Sequence, residues 1–159
     1  MLNILKIYEL RRNVFIPSPI AEVFSFFSAA ENLNLITPPW LGFNILTPLP
    51  VRLGKNALID YSIKLLGWRM IWKTEITVWD PPARFVDRQI KGPYRVWEHT
   101  HLFEEKDGGT QMTDVVRYAV PGFVLSPLVH FFFVRPRLEK IFSFREQKMR
   151  ELFAGRTAG

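Results

Sequence analysis

The feature that most constrains this fold is a pair of alternating segments, joined by an Asp-Gly turn, between Tyr94 and Tyr118. Alternate side chains of a strand share one face, and a two-residue Asp-Gly loop favours a β-hairpin. If Lys106 pairs with Gly109, the register of the whole hairpin follows. The predicted cross-strand pairs are Phe103 with Met112, His101 with Asp114, His99 with Val116, and Trp97 with Tyr118.

One face of this hairpin therefore carries a histidine beside an aspartate, among large apolar side chains. A strand face in contact with water does not need the apolar groups. An apolar core disfavours polar groups, because burying them is costly without hydrogen-bond partners. We interpret the face as the wall of a pocket.

Composition limits the fold and the chemistry. At 159 residues, 48% of them hydrophobic and 14% aromatic, the chain fits one domain over residues 1–159 with a substantial core. The absence of cysteine excludes disulfides, thiolate nucleophiles and cysteine-ligated metals. The first residues do not resemble a secretory signal, so we expect a cytoplasmic protein.

The net charge of +6 raises the question of an anionic partner. The basic residues are spread along the chain, and the densest group, over residues 135–150, is interleaved with glutamates. This is typical of a solvated helix face with ion pairs, so we expect no nucleic-acid partner. The apolar run from Phe123 to Val134 is shorter than the ~20 residues needed to cross a bilayer. It leaves burial, a pocket lid and peripheral contact with an anionic membrane as alternatives.

Hydrophobic periodicity predicts the order of the elements. The expected strands are Glu9–Ile16, Phe43–Thr47, Ala57–Leu66, Arg69–Trp79, Arg84–Ile90, Tyr94–Glu105 and Thr110–Val120. The connections at Leu66-Gly67, Pro81-Pro82, Gly92-Pro93 and Asp107-Gly108 are too short for crossover helices, which predicts an antiparallel meander.

Helices are predicted on both sides of the meander. After the first strand, Ser18 and Pro19 fit the N-cap and first position of a short helix, and a second brief helix or turn is expected over Asn32–Pro39. Near the end, a stripe at helical spacing predicts a long amphipathic helix, which Pro136 is expected to separate from the residues before it. The predicted stripe consists of Leu138, Ile141, Phe142, Arg145, Met149 and Leu152.

These elements predict an α+β fold. The expected elements are a curved antiparallel sheet of about seven strands, two short helices after the first strand and one long C-terminal helix. They bury their apolar faces when the sheet wraps around the long helix. The space between the helix and the sheet is then a cavity.

At this level the chain resembles the helix-grip superfamily, which includes the birch-pollen allergens, the START lipid-transfer domains and the polyketide cyclase/dehydrase-like SRPBCC proteins. It is most similar to the bacterial ligand-binding branch, and the resemblance covers nearly the whole chain. The residues that carry it are Ile16 to Pro19, Val23-Phe24, Asn32-Leu33, Thr37-Pro38, Trp72, Ile76, Pro82, Arg84-Phe85, Asp87, Gln89, Gly92 to Tyr94, Trp97, His99, His101, Phe103, Thr110, Met112, Asp114, Tyr118, Pro121, Ile141-Phe142 and Arg145. The resemblance implies the helix-grip fold, which serves carriers, cyclases and regulatory domains alike.

The candidate site follows from the pocket wall. We predict that ligand-binding side chains are Trp72, Asp87, Gln89, Trp97, His99, His101, Phe103, Met112, Asp114 and Tyr118. As catalytic candidates we take His101 oriented by Asp114, with His99 on the same face. The alternative is a purely structural hydrogen-bonded pair. Tyr61 and Tyr118 are further candidate donors to a ligand carbonyl.

A metal centre is a further alternative at the same wall. Two histidines with a carboxylate form a known ligand set for metals, but such residues on neighbouring strands often only pair with one another. We expect neither a metal nor a cofactor.

Two functions of different classes fit these expectations. The first is binding of a small hydrophobic molecule, such as a lipid, an isoprenoid, an aromatic or a polyketide-like compound, with the polar patch holding a carbonyl or hydroxyl group. The second is a cyclase or dehydratase in which a His–Asp pair transfers protons. The sequence leaves the oligomeric state open.

Overall fold

The computed structural model describes residues 5–122 and 125–154, and within them the chain forms a seven-stranded antiparallel sheet. The strands are β1 (Tyr8–Ile16), β2 (Asn44–Ile45), β3 (Leu58–Leu65), β4 (Trp68–Asp80), β5 (Arg84–Lys91), β6 (Val96–Lys106) and β7 (Gly109–Ala119). Their spatial order is β1-β7-β6-β5-β4-β3-β2, so the meander from β2 to β7 is as predicted and β1 lies beside β7. Only β2 is clearly shorter than its predicted strand.

The predicted hairpin is present with the predicted register. Lys106 pairs with Gly109, and His101 lies opposite Asp114. Both turn residues, Asp107 (φ 48°) and Gly108 (φ 77°), have the positive φ that a type I′ turn requires. Turn chemistry and two-residue alternation therefore fix which side chains share the inner face.

Four α-helices complete the described residues: α1 (Ile20–Phe27), α2 (Leu33–Ile36), α3 (Ser126–Val129) and α4 (Arg135–Ala154). The start of α1 differs from the prediction. The extended ψ of 145° at Pro19 puts that residue in the cap position, and no side chain caps the helix. Ser18 is buried instead, and its carbonyl accepts a hydrogen bond from the hydroxyl of Thr110 at 2.8 Å.

Pro136 lies next to the predicted start of the long helix, but the chain remains helical across it. Residues His130–Val134 form a π-helical turn that leads directly into α4, and Pro136 lies in the first turn of that helix. The N–H of Arg135 bonds the carbonyl of His130, and Pro136, which has no N–H to donate, lies where the π-helical bonding changes to α-helical bonding. Phe123 and Val124 of the predicted apolar run lie outside the described residues.

Helix α4 packs on the inner face of the sheet through side chains along its whole length. Met149 and Phe153 join a core cluster with α1, whereas Leu138 and Phe142 join a second cluster with Trp97 of β6. Beside the second cluster, a space remains between α2, α4 and the sheet. That space is the predicted cavity between the helix and the sheet.

Candidate functional site

A cavity of about 180 Å³ lies between α4, α2 and strands β3 to β6. Most of its wall is apolar, with Ile36, Ile63, Ile76, Leu138 and Phe142 among the lining residues. Polar groups gather on the part of the wall formed by β5, β6 and the middle of α4. The cavity is therefore an apolar chamber with one polar end.

Three adjacent strands supply the carboxylates and imidazoles at this end. Asp87 of β5 lies opposite His99 of β6, and His101 of β6 lies opposite Asp114 of β7. The hydrogen bonds run diagonally across these pairs: His99 Nε2 to Asp114 Oδ1 is 2.8 Å, and His101 Nε2 to Asp87 Oδ2 is 2.7 Å. Long side chains can reach diagonal neighbours on adjacent strands. His101 therefore lies opposite Asp114, as predicted, but forms its hydrogen bond with Asp87.

The directly opposite groups are also close. His101 Nδ1 lies 3.0 Å from Asp114 Oδ1, but its angle makes no hydrogen bond, and His99 Nδ1 lies 3.8 Å from Asp87 Oδ2. The two imidazole rings are 3.8 Å apart between centroids, and Phe85 stacks on His101 at 4.1 Å. The four polar side chains therefore form one compact cluster, which we call the His–Asp cluster.

Burial opposes ionisation of both carboxyl groups of the cluster, but neighbouring charges reverse its effect. The hydrogen bond from His101 and the charges of His99, His101 and Arg145 hold the pKa of Asp87 below its usual value. The pKa of Asp114 is held well below its usual value, with Arg145 the largest favourable influence. Both groups are carboxylates at neutral pH.

The two histidines are shifted in opposite directions. Burial, together with the positive charge of His101, lowers the pKa of His99 below its usual value even though carboxylates lie beside it. Burial also opposes protonation of His101, but Asp114 and Asp87 on either side outweigh it and raise the pKa. Protonation is therefore more favourable at His101 than at His99.

Arg145 is a member of the site that the predicted ligand-binding residues did not include. Its Nε lies 3.7 Å from Asp114 Oδ2, and its guanidinium lies 5.3 Å from the ring centre of Phe27. Neither Nε nor Nη2 has a hydrogen-bond acceptor among the described residues, although both atoms are buried. Two sequence signals pointed to Arg145: the helical stripe, which places it toward the sheet, and its match to the helix-grip pattern.

Tyr61, predicted as a candidate donor to a ligand carbonyl, lines the cavity. Its hydroxyl accepts a long hydrogen bond of 3.5 Å from Thr74, and its ring stacks on Trp72 at 5.8 Å. Burial and then the Asp87 carboxylate raise the pKa of Tyr61, so the phenol stays protonated and can donate. Trp72 Nε1 is likewise a buried donor with no acceptor in the described part of the chain.

The predicted ligand-binding residues divide into two groups. Those that line the cavity are Trp72, Asp87, Trp97, His99 and His101. Those outside its lining are Gln89, Phe103, Met112, Asp114 and Tyr118.

The side chains outside the lining have other contacts. Gln89 bonds the backbone of Tyr94 through both ends of its amide, at 2.7 and 3.3 Å. Phe103 and Met112 are fully packed in the core, while the Tyr118 hydroxyl and His130 Nε2 are 2.9 Å apart. Asp114 lies behind the two histidines, and so acts on the cavity through them.

Known proteins share the sequence pattern and the fold of this chain. Residues 16–141 match the family described as polyketide cyclase / dehydrase and lipid transport. No curated protein matches the sequence.

Several solved structures are similar over most of the chain. The protein TTHA0849 from Thermus thermophilus is 18% identical with a TM-score of 0.69, covering 95% of this chain and 100% of that one. Ara h 8.0201 is 15% identical with a TM-score of 0.58, covering 92% and 99%. The di-domain ARO/CYC protein StfQ from the steffimycin biosynthetic pathway is 12% identical with a TM-score of 0.71, covering 96% of this chain and 53% of that one. At these identities the likeness shows the fold, and it confirms the predicted helix-grip architecture.

Proposed function

Because the chain belongs to the polyketide cyclase/dehydrase and lipid transport family, we propose that it binds a small hydrophobic molecule between α4 and the sheet. The observation that carries this proposal is a mostly apolar cavity of about 180 Å³ with imidazole and charged side chains on one part of its wall. Ligand sites combine an apolar wall with a few polar groups that fix orientation. The His–Asp cluster, Tyr61 and Arg145 are such groups here.

The cavity volume limits the size of the ligand. A dry apolar cavity of about 150 Å³ is enough to hold benzene, whereas sites for drug-sized ligands begin near 300 Å³. A volume of about 180 Å³ therefore suits a molecule with a single ring, or a short branched chain of similar size. A larger polyketide or lipid would require α2 or α4 to move outward.

Two donors on β3 and β4, beside the polar end, favour a ligand with an acceptor oxygen. Tyr61 can donate its O–H, and Trp72 Nε1 is a buried donor with no acceptor among the described residues. Buried donors are rarely left without a partner in native proteins. A carbonyl oxygen directed at this end would supply the missing acceptor.

The size and polarity of the ligand are tested with matched probes. Acetophenone and ethylbenzene have nearly the same shape, and only acetophenone carries a carbonyl. Isothermal titration should show saturable binding of both, with acetophenone bound more tightly, and the tryptophans of the wall should report binding by fluorescence. Mass spectrometry of the purified protein then identifies any ligand that it retains from the cell.

A pair of substitutions tests the location. Ile63→Phe adds bulk inside the cavity and should abolish binding of both probes. Ile71→Phe makes the same change at an exposed position of the adjacent strand and should leave binding intact. Equal affinity of wild type and Ile63→Phe, or no binding by wild type, would refute the proposal.

Catalysis on the bound molecule is the second candidate function. His101 is held at 2.7 Å from Asp87 and lines the cavity, as a general acid or base of a cyclase or dehydratase would. StfQ, whose structure is similar, is an ARO/CYC protein. Incubating the protein with its co-purified ligand distinguishes the functions. Turnover that is lost in His101→Gln while binding persists supports an enzyme, and an unchanged ligand supports a carrier.

We also infer a place of contact with an anionic membrane. Five side chains before α4 are more than half exposed: Leu125, Leu128, Phe131, Phe132 and Phe133. Arg135 lies two residues after Phe133, and the Arg137 guanidinium lies 6.0 Å from the centre of the Phe133 ring. Apolar side chains bordered by cations fit the interface of an anionic bilayer. No helix among the described residues is both long and apolar enough to cross a membrane.

A further inference from the structure

We propose that Asp87, His99 and His101 bind one divalent transition-metal ion at the polar end of the cavity. One ligand atom from each residue lies within 4.8 Å of the other two. Two imidazoles and one carboxylate form a ligand set that suits zinc and non-haem iron. This proposal departs from the sequence-based expectation of no metal. It depends on the geometry of the His–Asp cluster alone, and not on the identity of any organic ligand.

The spacing of the donor atoms is close to what one ion requires. Asp87 Oδ2 lies 2.7 Å from His101 Nε2 and 3.8 Å from His99 Nδ1. Ligand atoms that share a zinc ion at about 2.0–2.2 Å each are separated by roughly 3–3.5 Å. Shifts of a few tenths of an ångström would therefore open the first contact and close the second. The third pair, the ligand nitrogens of His99 and His101, lies within 4.8 Å and would also have to come within this range.

Asp114 supports both histidines from the side away from the proposed ion. Its Oδ1 lies 2.8 Å from His99 Nε2 and 3.0 Å from His101 Nδ1, which are the two ring nitrogens not assigned to the ion. Metal-binding histidines commonly direct their second N–H at a carboxylate, which fixes the tautomer and the ring orientation. Asp114 does this for the ring of His99, and a change in the angle of the His101 ring would let the same oxygen do it for both. Arg145, 3.7 Å from Oδ2, holds that aspartate in turn.

The proposed ion would be open to the cavity. Asp87, His99 and His101 all line the cavity, whereas Asp114 does not. Three protein ligands leave at least one coordination position, which is the arrangement of catalytic rather than structural metal sites. That position faces the space where a ligand oxygen would lie.

Metal binding is tested on the full chain after treatment with a chelator, with zinc chloride as the probe in isothermal titration. The expected result is one zinc ion bound per chain. Cobalt(II) should give visible absorption typical of mixed nitrogen and oxygen ligands. Asp87→Asn keeps the size of the side chain and removes its charge, so zinc affinity should fall by at least 100-fold. Asp114→Asn acts through the histidines and should lower it by about 10- to 100-fold.

The matched control is His130→Gln, which changes the one histidine outside the cluster and should leave zinc affinity unchanged. No zinc binding by wild type at millimolar concentration, or equal affinity in Asp87→Asn, would overturn the proposal. If Asp87→Asn does not fold, ¹⁵N spectra of the wild-type imidazoles decide, because zinc must shift the signals of both His99 and His101. Acetophenone binding measured in the presence of chelator tests the ligand site separately.

Discussion

Replacing Phe142 with alanine should destabilise the protein less than the same change at Phe103. Both side chains are buried, at 5% and 2% exposure, so the loss of apolar transfer energy is similar. Phe103 is packed against the rings of Phe24 (5.3 Å), Phe27 (5.5 Å) and Phe85 (6.1 Å) and does not line the cavity. Phe142 faces the cavity of about 180 Å³ on one side.

The expected magnitudes follow from these surroundings. Phe→Ala in a packed core costs about 3–5 kcal/mol and increases by about 24 cal/mol for each Å³ of new void. Phe103→Ala opens a void in fully packed surroundings, so we expect about 4–5 kcal/mol. Phe142 has fewer contacts to lose, since one face already borders empty space, and we expect about 2–3 kcal/mol, including about 0.5–1 kcal/mol for its contact with Arg145.

Urea denaturation followed by circular dichroism measures both losses, provided that the dependence on urea concentration is the same in the two variants. Acetophenone at 100 times its dissociation constant should stabilise the wild type by about 2.7 kcal/mol. Equal losses in the two variants, or a larger loss at Phe142, would show that no cavity is present beside that ring.

Three further outcomes are expected. Trp97→Ala removes an indole from the cavity wall and should lower acetophenone affinity by at least tenfold in titration calorimetry; an unchanged affinity would place the ligand elsewhere. Burial and neighbouring cations lower the pKa of His130 in the folded protein. As the pH drops below about 6.5, the unfolded chain therefore takes up a proton at this histidine more readily than the folded protein, and stability falls. His130→Asn should therefore lose less stability than wild type between about pH 7 and pH 5 in urea titrations, and equal losses would contradict this assignment. Phe132→Glu should reduce co-sedimentation with anionic vesicles, and Leu58→Glu, at another exposed apolar position, should not; binding that is indifferent to lipid charge would oppose the membrane proposal.

Local rules determine the fold well enough to be read from the sequence. The Asp107-Gly108 turn and the alternation after it settle the β6–β7 register, because a slip by one residue would turn His101 and its neighbours to the opposite face. The short connections between the later strands exclude parallel pairing. The ends of the helices were less predictable, since Pro19 and Pro136 are each compatible with two neighbouring positions of a first turn.

For the candidate site, the sequence predicted which strand residues share a face, but not how their side chains pair. Strand alternation brings His99, His101 and Asp114 to one face, but the hydrogen bonds depend on side-chain rotations that sequence does not specify. Asp87 joins them because β5 pairs with β6 in a register that a four-residue connection leaves open. Arg145 arrives from α4, and the position of a helix across a sheet follows from packing rather than from any local pattern.

The stability of the fold does not explain the His–Asp cluster. Asp114 and both imidazoles are buried and Asp87 is half-buried beside an apolar cavity, where desolvation opposes every charge. Well-packed apolar side chains at such positions are often as stabilising as a buried ion pair, or more so. Asp87 and Asp114 stay ionised only because the histidines and Arg145 surround them, so each charge in the cluster requires the others. Perturbed titratable groups gathered at one end of a cavity are typical of functional sites, and the arrangement is best explained by what it binds there.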